Sequence, residues 1–182
     1  MKRNEKYKYA TGKQINEDSG RIYDVAGYRL PSVTSILSRT KDQGFLKEWR
    51  AKVGEKEADR IMNLSSVRGT AMHKYLESHI TDIGYEDLTD TGKQAKTMAE
   101  KVIEIGLAPV DEYYGSEVTM YYPGLYAGQT DLVCIHDGED AIVDLNNQIG
   151  QNVRSGSEII ICRLQHMPWL MIMFMAQGSI KA

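Results

Sequence analysis

Between residues 41 and 106, apolar residues recur at roughly the spacing of one face of an α-helix. The segment "KDQGFLKEWRAKVGEKEADRIMNLSS" predicts two short helices that break near Gly54. The segment "RGTAMHKYLESHITD" predicts another helix, with Gly69 and Thr70 as its cap. A further helix is predicted over residues 90 to 106, because Gly106 can end it.

Later in the chain the hydrophobic period changes to two. "SEVTMYYP", "YAGQTDLVCIHD" and "DAIVDL" predict strands, separated by Pro123 and Gly124 and by "HDGED", which suits a hairpin turn. Upstream, "RIYDVAGYRLPSVTSIL" predicts a short hairpin around Gly27, followed by a helix that starts at Pro31 and Ser32. Helices followed by antiparallel strands predict an α/β or α+β sandwich.

Composition narrows the class of protein. The chain has 182 residues and a net charge of -3, which predicts one domain and only local contacts with nucleic acid. Its first 20 residues are polar, so we expect a flexible arm, no membrane segment and a cytoplasmic protein. Cys134 and Cys162 lack CxxC spacing, which predicts no disulfide, zinc site or iron-sulfur cluster. Cys134, inside an apolar run, is predicted to be a buried thiol.

Two aspartates occupy the hairpin strands. Asp131 near the start of one strand and Asp144 at the end of the next can face each other across a hairpin. Two carboxylates on one sheet face repel unless a cation lies between them. The alternative is that Asp131 caps a turn and Asp144 ends a strand, since aspartate is common there. Spacing alone leaves both interpretations open.

A resemblance adds weight to the first interpretation. "LPSVTSILS", "LKEWR", "RGTAMHKYLE", "SEVTMYYPGLYAGQTDLV" and "AIVD" together resemble the PD-(D/E)XK nuclease superfamily, specifically RecB-type exonucleases such as the mitochondrial genome maintenance exonuclease and its phage relatives. The resemblance covers residues 22 to 144. Its most specific parts are the GTxxHxxxE motif and the GxxD motif. It implies a restriction-endonuclease-like α/β core, with helices packed on a central mixed β-sheet and a β-hairpin that carries the site.

The resemblance also implies a metal site. His73 corresponds to the helix-borne ligand, Asp131 and Asp144 to the two carboxylate ligands, and the backbone carbonyl of Leu145 to the last ligand. Glu117 matches an acidic position on the first strand. Oxygen ligands of this kind hold Mg²⁺ or Mn²⁺, which polarises a phosphodiester and lowers the pKa of a bound water. Without the resemblance, His73 reads as a partly buried helix histidine.

Three further residues are predicted to contact nucleic acid. Arg68, together with Thr70, would precede the helix and bind a phosphate at its N-terminus, although a surface arginine is the simpler interpretation. Tyr126 can stack on a base, whereas aromatic residues in strands more often belong to the core. The substrate implied by the resemblance is DNA with single-stranded ends.

The chain departs from the superfamily at Asn146, where the D-x-K motif has a lysine that positions the attacking water. A back-translation of "DLNNQIGQN" can be read one base earlier as Phe-Lys-Gln-Ser-Asn-Arg-Pro-Lys, which restores the motif. We therefore hypothesise a one-base frameshift just after Asp144. Sequencing error, mutation and ribosomal slippage would each give this sequence.

These observations divide the chain into an arm (1–20), a nuclease-like core (21–145) and an atypical tail (146–182), in which a helix is predicted over 160–176. Three functions remain open. The first is a metal-dependent DNA exonuclease of a phage or mobile element, impaired here by Asn146. The second is an inactive remnant that binds nucleic acid. The third is an unrelated hairpin domain whose motif matches are accidental.

Overall fold

The computed structural model describes residues 1–40, 44–146 and 158–163. The strands are β1 (Lys2–Arg3), β2 (Gly12–Glu17), β3 (Gly20–Val25), β4 (Tyr28–Pro31), β5 (Val110–Tyr122), β6 (Tyr126–His136), β7 (Glu139–Asn146) and β8 (Glu158–Arg163). The helices are α1 (Val33–Thr40), α2 (Gly44–Val53), α3 (Glu55–Thr81) and α4 (Asp90–Gly106). The fold is mixed α/β, as predicted. Within these residues, no helix is long and apolar enough to cross a membrane.

The larger sheet carries the core. Its strand order is β1-β5-β6-β7-β8, with β1 parallel to β5 and all other neighbours antiparallel, so the sheet is mixed. The β6–β7 turn has positive φ at Asp137 and at Gly138, the pattern of a type I′ hairpin turn, and this confirms the hairpin prediction. Residues 160–163, predicted as the start of a helix, belong to β8 instead, and residues 164–176 lie outside the described part.

The smaller sheet holds β2, β3 and β4 in antiparallel order. Its β3–β4 turn again has positive φ at both central residues, Ala26 and Gly27, which confirms the predicted hairpin. Helix α1 begins directly after Ser32, also as predicted. Tyr23, Val25 and Leu30 bury one face of this sheet against the start of β6, so the small sheet stands beside the larger one.

The first 20 residues are more ordered than the predicted flexible arm, because they contain β1 and β2. The segment between these strands packs on the larger sheet. Asp140 on β7 accepts hydrogen bonds from the hydroxyls of Tyr7 (3.0 Å) and Tyr114 (2.5 Å) and pairs with Lys6 (2.9 Å). The polar composition of the arm concealed this anchoring, since its stabilising contacts are made by a few tyrosines and by the ion pairs of Lys2 with Glu112 and of Lys6 with Asp140.

Helix α3 is a single helix of 27 residues. The sequence predicted a short helix after Gly54 and a separate one after Gly69, but Gly69 and Thr70 lie in the middle of α3 and cap nothing. The break after Gly54 is confirmed, because Gly54 has φ of +89° and separates α2 from α3. A helix-interior glycine lowers helix propensity without breaking the helix, so it was wrongly read as a boundary.

Helix α4 runs over the predicted residues, 90 to 106. The Thr89 hydroxyl accepts a hydrogen bond from the Gly92 amide (3.0 Å) and caps its first turn. The Tyr75 hydroxyl bonds both the amide (2.8 Å) and the carbonyl (3.2 Å) of Asp87, which fixes the connection between α3 and α4. The two helices therefore pack as one layer.

The main core lies between this helical layer and the larger sheet. Residues from α3 and α4 pack against side chains from β5, β6 and β7; they include Met72, Leu76, Ala99, Val102, Leu132, Cys134, Val143 and Leu145. Cys134 is completely buried, as predicted. A second cluster covers the opposite sheet face, where Tyr7 and Tyr114 join Val133 and Ile142. The strands that carry the aspartates are thus held firmly from both sides.

Gly69 offers a test of the continuous helix. Nothing lies within 4 Å of a Cβ built on Gly69, and its φ is not positive. We expect Gly69→Ala to raise the free energy of unfolding by about 1 kcal/mol and the melting temperature by about 2–4 °C. Gly138→Ala is the control: φ there is +79°, so alanine is expected to destabilise by about 1–2 kcal/mol. Thermal unfolding measures both, and a destabilised Gly69→Ala would contradict a regular helix at that position.

Candidate metal centre

Carboxylates from neighbouring strands meet in one transverse row. Glu117 on β5 lies level with Asp131 on β6. The ladder pairs on either side of them are Ser116 with Leu132 and Val118 with Thr130. Glu117 itself has φ of +52°, an unfavourable conformation for a residue with a long side chain. Such strain persists only where the surrounding structure holds it, and it is more frequent at functional sites.

Asp144 on β7 continues the row. The last ladder pair between β6 and β7 joins Leu132 and Val143, which brings Asp144 level with Asp131. Beyond this pair the Asp131 side chain takes the place of a backbone partner, because its Oδ2 accepts a hydrogen bond from the Leu145 amide at 2.6 Å. This short hydrogen bond to a charged group fixes the position of the Asp131 carboxylate.

His73 approaches the row from α3. Its Nδ1 is 3.3 Å from Oδ1 of Asp131. One donor atom from each of His73, Glu117 and Asp131 lies within 4.8 Å of the other two, a spacing that can hold a metal ion. The structure thus brings together three of the predicted site residues, and Asp144 lies beside them. The predicted role of the Leu145 carbonyl stays a prediction.

The electrostatics of Glu117 show how crowded the row is. Burial, followed by the charge of Asp131, raises the pKa of the Glu117 carboxyl to about 7. The side-chain amide of Gln129 donates to Oε2 of Glu117 at 2.7 Å and to its carbonyl at 3.2 Å. Gln129 was not predicted from the sequence. The neutral amide of Gln129 gives the Glu117 carboxylate one hydrogen bond but no compensating positive charge.

The pKa of His73 is also raised. Contact with the Asp131 carboxylate raises the pKa of the His73 imidazole, more than its burial lowers it. His73 therefore keeps its proton to a higher pH than a free imidazole, and in its protonated form it balances the charge of Asp131. A cation held here would take over that role and would compete with protons on Glu117 and His73. Metal affinity should rise with pH for this reason.

The donor set fits a small divalent cation. Carboxylate oxygens suit Mg²⁺ and Mn²⁺, and one imidazole shifts the preference towards Mn²⁺. Asp131 Oδ2 is occupied by the Leu145 amide, so Oδ1 is the oxygen that can bind a metal. A metal ion here would take one ligand from α3, one from β5 and one from β6.

A cleft of about 860 Å³ opens over this group; we call it the main cleft. The small sheet and α1 form one wall, and α3 and the start of β6 form the other. Arg21 and Lys74 are the cations that line it in the described part of the chain, and neither was identified from the sequence. Gly69 and Thr70 also line it, so the GTxxH segment leaves room beside His73.

The predicted nucleic-acid contacts have different outcomes. Arg68 lies inside α3, so its predicted place before a helix N-terminus is wrong, whereas its contact with nucleic acid stays a prediction. Its Nε is buried and has no hydrogen-bond partner among the described residues. Thr70 donates to the Ser66 carbonyl within the helix (3.0 Å). Tyr126 packs beside Tyr122, with ring centroids 5.9 Å apart, next to the second core cluster.

Asn146 is the last residue of β7, and its backbone pairs with Glu158 in β8. It therefore follows the carboxylate row by two residues along the same strand. Asparagine stands at the position where the resemblance predicts a lysine.

We compared the chain with family models, curated proteins and solved structures, and no match was found in any of the three.

The raised pKa of Glu117 predicts a pH effect on stability. In the unfolded chain this carboxyl titrates near its ordinary value of 4.5, and in the folded protein near 7. Between these values the folded state binds more protons, so stability decreases as pH rises. We expect the metal-free Glu117→Gln variant to lose this part of the decrease and to be more stable than the wild type at pH 8. Urea unfolding at pH 4.5, 6 and 8 measures it; parallel wild-type and variant curves would contradict the assignment.

Proposed function

We propose that the chain is a metal-dependent DNA nuclease of the PD-(D/E)XK type, with a restriction-endonuclease-like core, whose hydrolytic step is impaired because Asn146 replaces the motif lysine. The observation that supports it is the carboxylate row of β5, β6 and β7 with His73 against it. The resemblance predicted His73 and Asp131 as ligands on separate elements, and they are 3.3 Å apart. Accidental motif matches do not require that contact.

The proposed chemistry follows from the donor set. Mg²⁺ or Mn²⁺ at His73, Glu117 and Asp131, with Asp144 beside it, would polarise the phosphodiester, activate a water and neutralise the leaving oxygen. The chain itself supplies orientation. The Leu145 amide fixes Asp131, Gln129 holds Glu117, and helix α3 holds His73. Arg21 and Lys74 in the main cleft are suited to bind the DNA backbone.

The missing lysine limits the reaction. An ammonium two residues after Asp144 would position the attacking water and stabilise negative charge in the transition state. Asn146 can donate a hydrogen bond but supplies no charge. Groups of this kind contribute about 10²–10⁴-fold to a rate. Metal binding and DNA binding do not depend on the lysine and would survive its loss.

A second candidate function is therefore an inactive remnant that binds nucleic acid. Asn146 favours it, as does a main cleft whose described lining includes the two basic residues Arg21 and Lys74. Both candidates require the cluster of His73, Glu117 and Asp131, which we call the metal group, and they differ only in turnover.

Metal binding is the first test. Mn²⁺ at 100 times its Kd should stabilise the folded protein by about 2.7 kcal/mol, which raises the melting temperature by about 5–10 °C. Asp131→Asn should abolish this shift, because it removes the ligand charge while an amide oxygen can still accept from Leu145. Asp137→Asn, in the β6–β7 turn, is the matched control and should keep the shift. Equal shifts in both variants would place the metal elsewhere.

Nuclease activity is the second test, on end-labelled single-stranded DNA with Mg²⁺ or Mn²⁺. The chain as written should show little or no cleavage. Asn146→Lys alone should restore little, because the residues after it also determine substrate alignment. The chain with the alternative reading frame from residue 145 onward should degrade the DNA from an end. Robust cleavage by the chain as written would refute this account, as would codons that exclude the alternative frame.

A further inference from the structure

A second, smaller cleft adjoins the metal group on its other side. Its volume is about 350 Å³. Glu77 and Glu117 line both this cleft and the main cleft, whereas His73 and Asp131 line the main cleft, so the smaller cleft borders the metal group at Glu117. The remaining wall comes from the N-terminal segment, α3 and β5. The polar side chains that it contributes are Arg3, Tyr9, Thr11, Thr81, Ser116 and Thr119. We call this space the small cleft.

Arg3 is the cation of the small cleft. Lys2 is paired with Glu112, and Lys6 with Asp140. Within residues 1–40, 44–146 and 158–163, by contrast, no carboxylate pairs with Arg3. Strand β1 pairs in parallel with β5, opposite Glu112 and Tyr113, and this holds Arg3 at the cleft. Arg3 is exposed, and an exposed arginine without an internal partner can bind an external anion.

Close backbone packing forms the floor of the small cleft. A Cβ on Gly115 would lie 2.8 Å from a ring carbon of Tyr9, and a Cβ on Gly12 would lie 2.5 Å from the Thr119 methyl group. Two glycines therefore allow the N-terminal segment to lie directly on β5. The N-terminal segment, which the sequence predicted as a flexible arm, thus builds one wall of a cleft next to the metal group.

We propose that the small cleft binds the nucleotide on one side of the phosphodiester that is held at the metal group, and that Arg3 binds its phosphate. This inference rests on the proposed function. A phosphodiester held at the metal group has a nucleotide on each side, and the small cleft borders that group at Glu117. A volume of about 350 Å³ is near the lower end for small-ligand sites, about 300–1,000 Å³, which suits one nucleotide. The hydroxyls of Thr11, Thr81 and Ser116 supply neutral donors for sugar and phosphate oxygens.

The test measures binding of thymidine 5′-monophosphate by calorimetry, with and without Mn²⁺, using thymidine as the phosphate-free probe. The wild type should bind the monophosphate at least tenfold more tightly than thymidine. Arg3→Ala should remove this difference, and Arg3→Lys should keep most of it. Lys2→Ala is the matched control, since Lys2 precedes Arg3 but is held by Glu112, and it should bind as the wild type does. Thr11→Trp changes an exposed residue and should weaken binding by filling the cleft without altering charge.

The outcomes separate this inference from the proposed function. A wild type that gives no Mn²⁺-dependent rise in melting temperature contradicts the metal centre, whereas Arg3-dependent nucleotide binding without Mn²⁺ would still support the small cleft. A normal Mn²⁺ shift together with equal binding by the wild type, Arg3→Ala and Thr11→Trp would overturn the small-cleft assignment. Failure of the wild type to bind the monophosphate under either condition would overturn it too. Melting temperatures of the metal-free variants confirm that each is folded.

Discussion

Repulsion among Glu117, Asp131 and Asp144 is the constraint around which the centre of this fold is arranged. Three carboxylates in one transverse row repel one another, and the charges of Asp131 and Asp144 both raise the pKa of Glu117. The protein offsets the repulsion locally: His73 faces Asp131, the Leu145 amide binds it, and Glu117 holds a proton to a higher pH than usual. Each of these interactions offsets part of the negative charge of the carboxylates, and a divalent cation would offset the charge of the whole row.

The rigidity of this row comes from its surroundings rather than from the row itself. One face of the larger sheet packs on α3 and α4, and the other is covered by tyrosines and by the N-terminal segment that Asp140 anchors. The small sheet then closes the main cleft from the side. Segments with no acidic ligand of their own thus decide how much space remains around the metal group. Shape and charge at the site are determined by different parts of the chain.

The sequence predicted the elements whose signals are local. Helix α4 was predicted over its full length, and the hairpin turns at Gly27 and Gly138 follow from residues that tolerate positive φ. Long-range contacts were missed. The anchoring of the N-terminal segment depends on Asp140, which is more than 130 residues away in the chain. Gly69 was read as a cap because an isolated glycine gives the same local signal inside a helix as at its end. His73 and Asp131 were predicted together only through the resemblance.

The end of β7, where Asn146 lies, matters as much for the site as Asp144 on the same strand. Asp131 is held by the amide of Leu145, so the strand that carries the motif also fixes a ligand on its neighbour. Beyond Leu132 and Val143 no further ladder pair joins β6 and β7 among the described residues, and β7 continues beside β8 instead. The path of the chain after Asp144 therefore bears on the metal group through the backbone. A different sequence from this point would change both the side chain at position 146 and the course of the strand whose Leu145 amide holds Asp131.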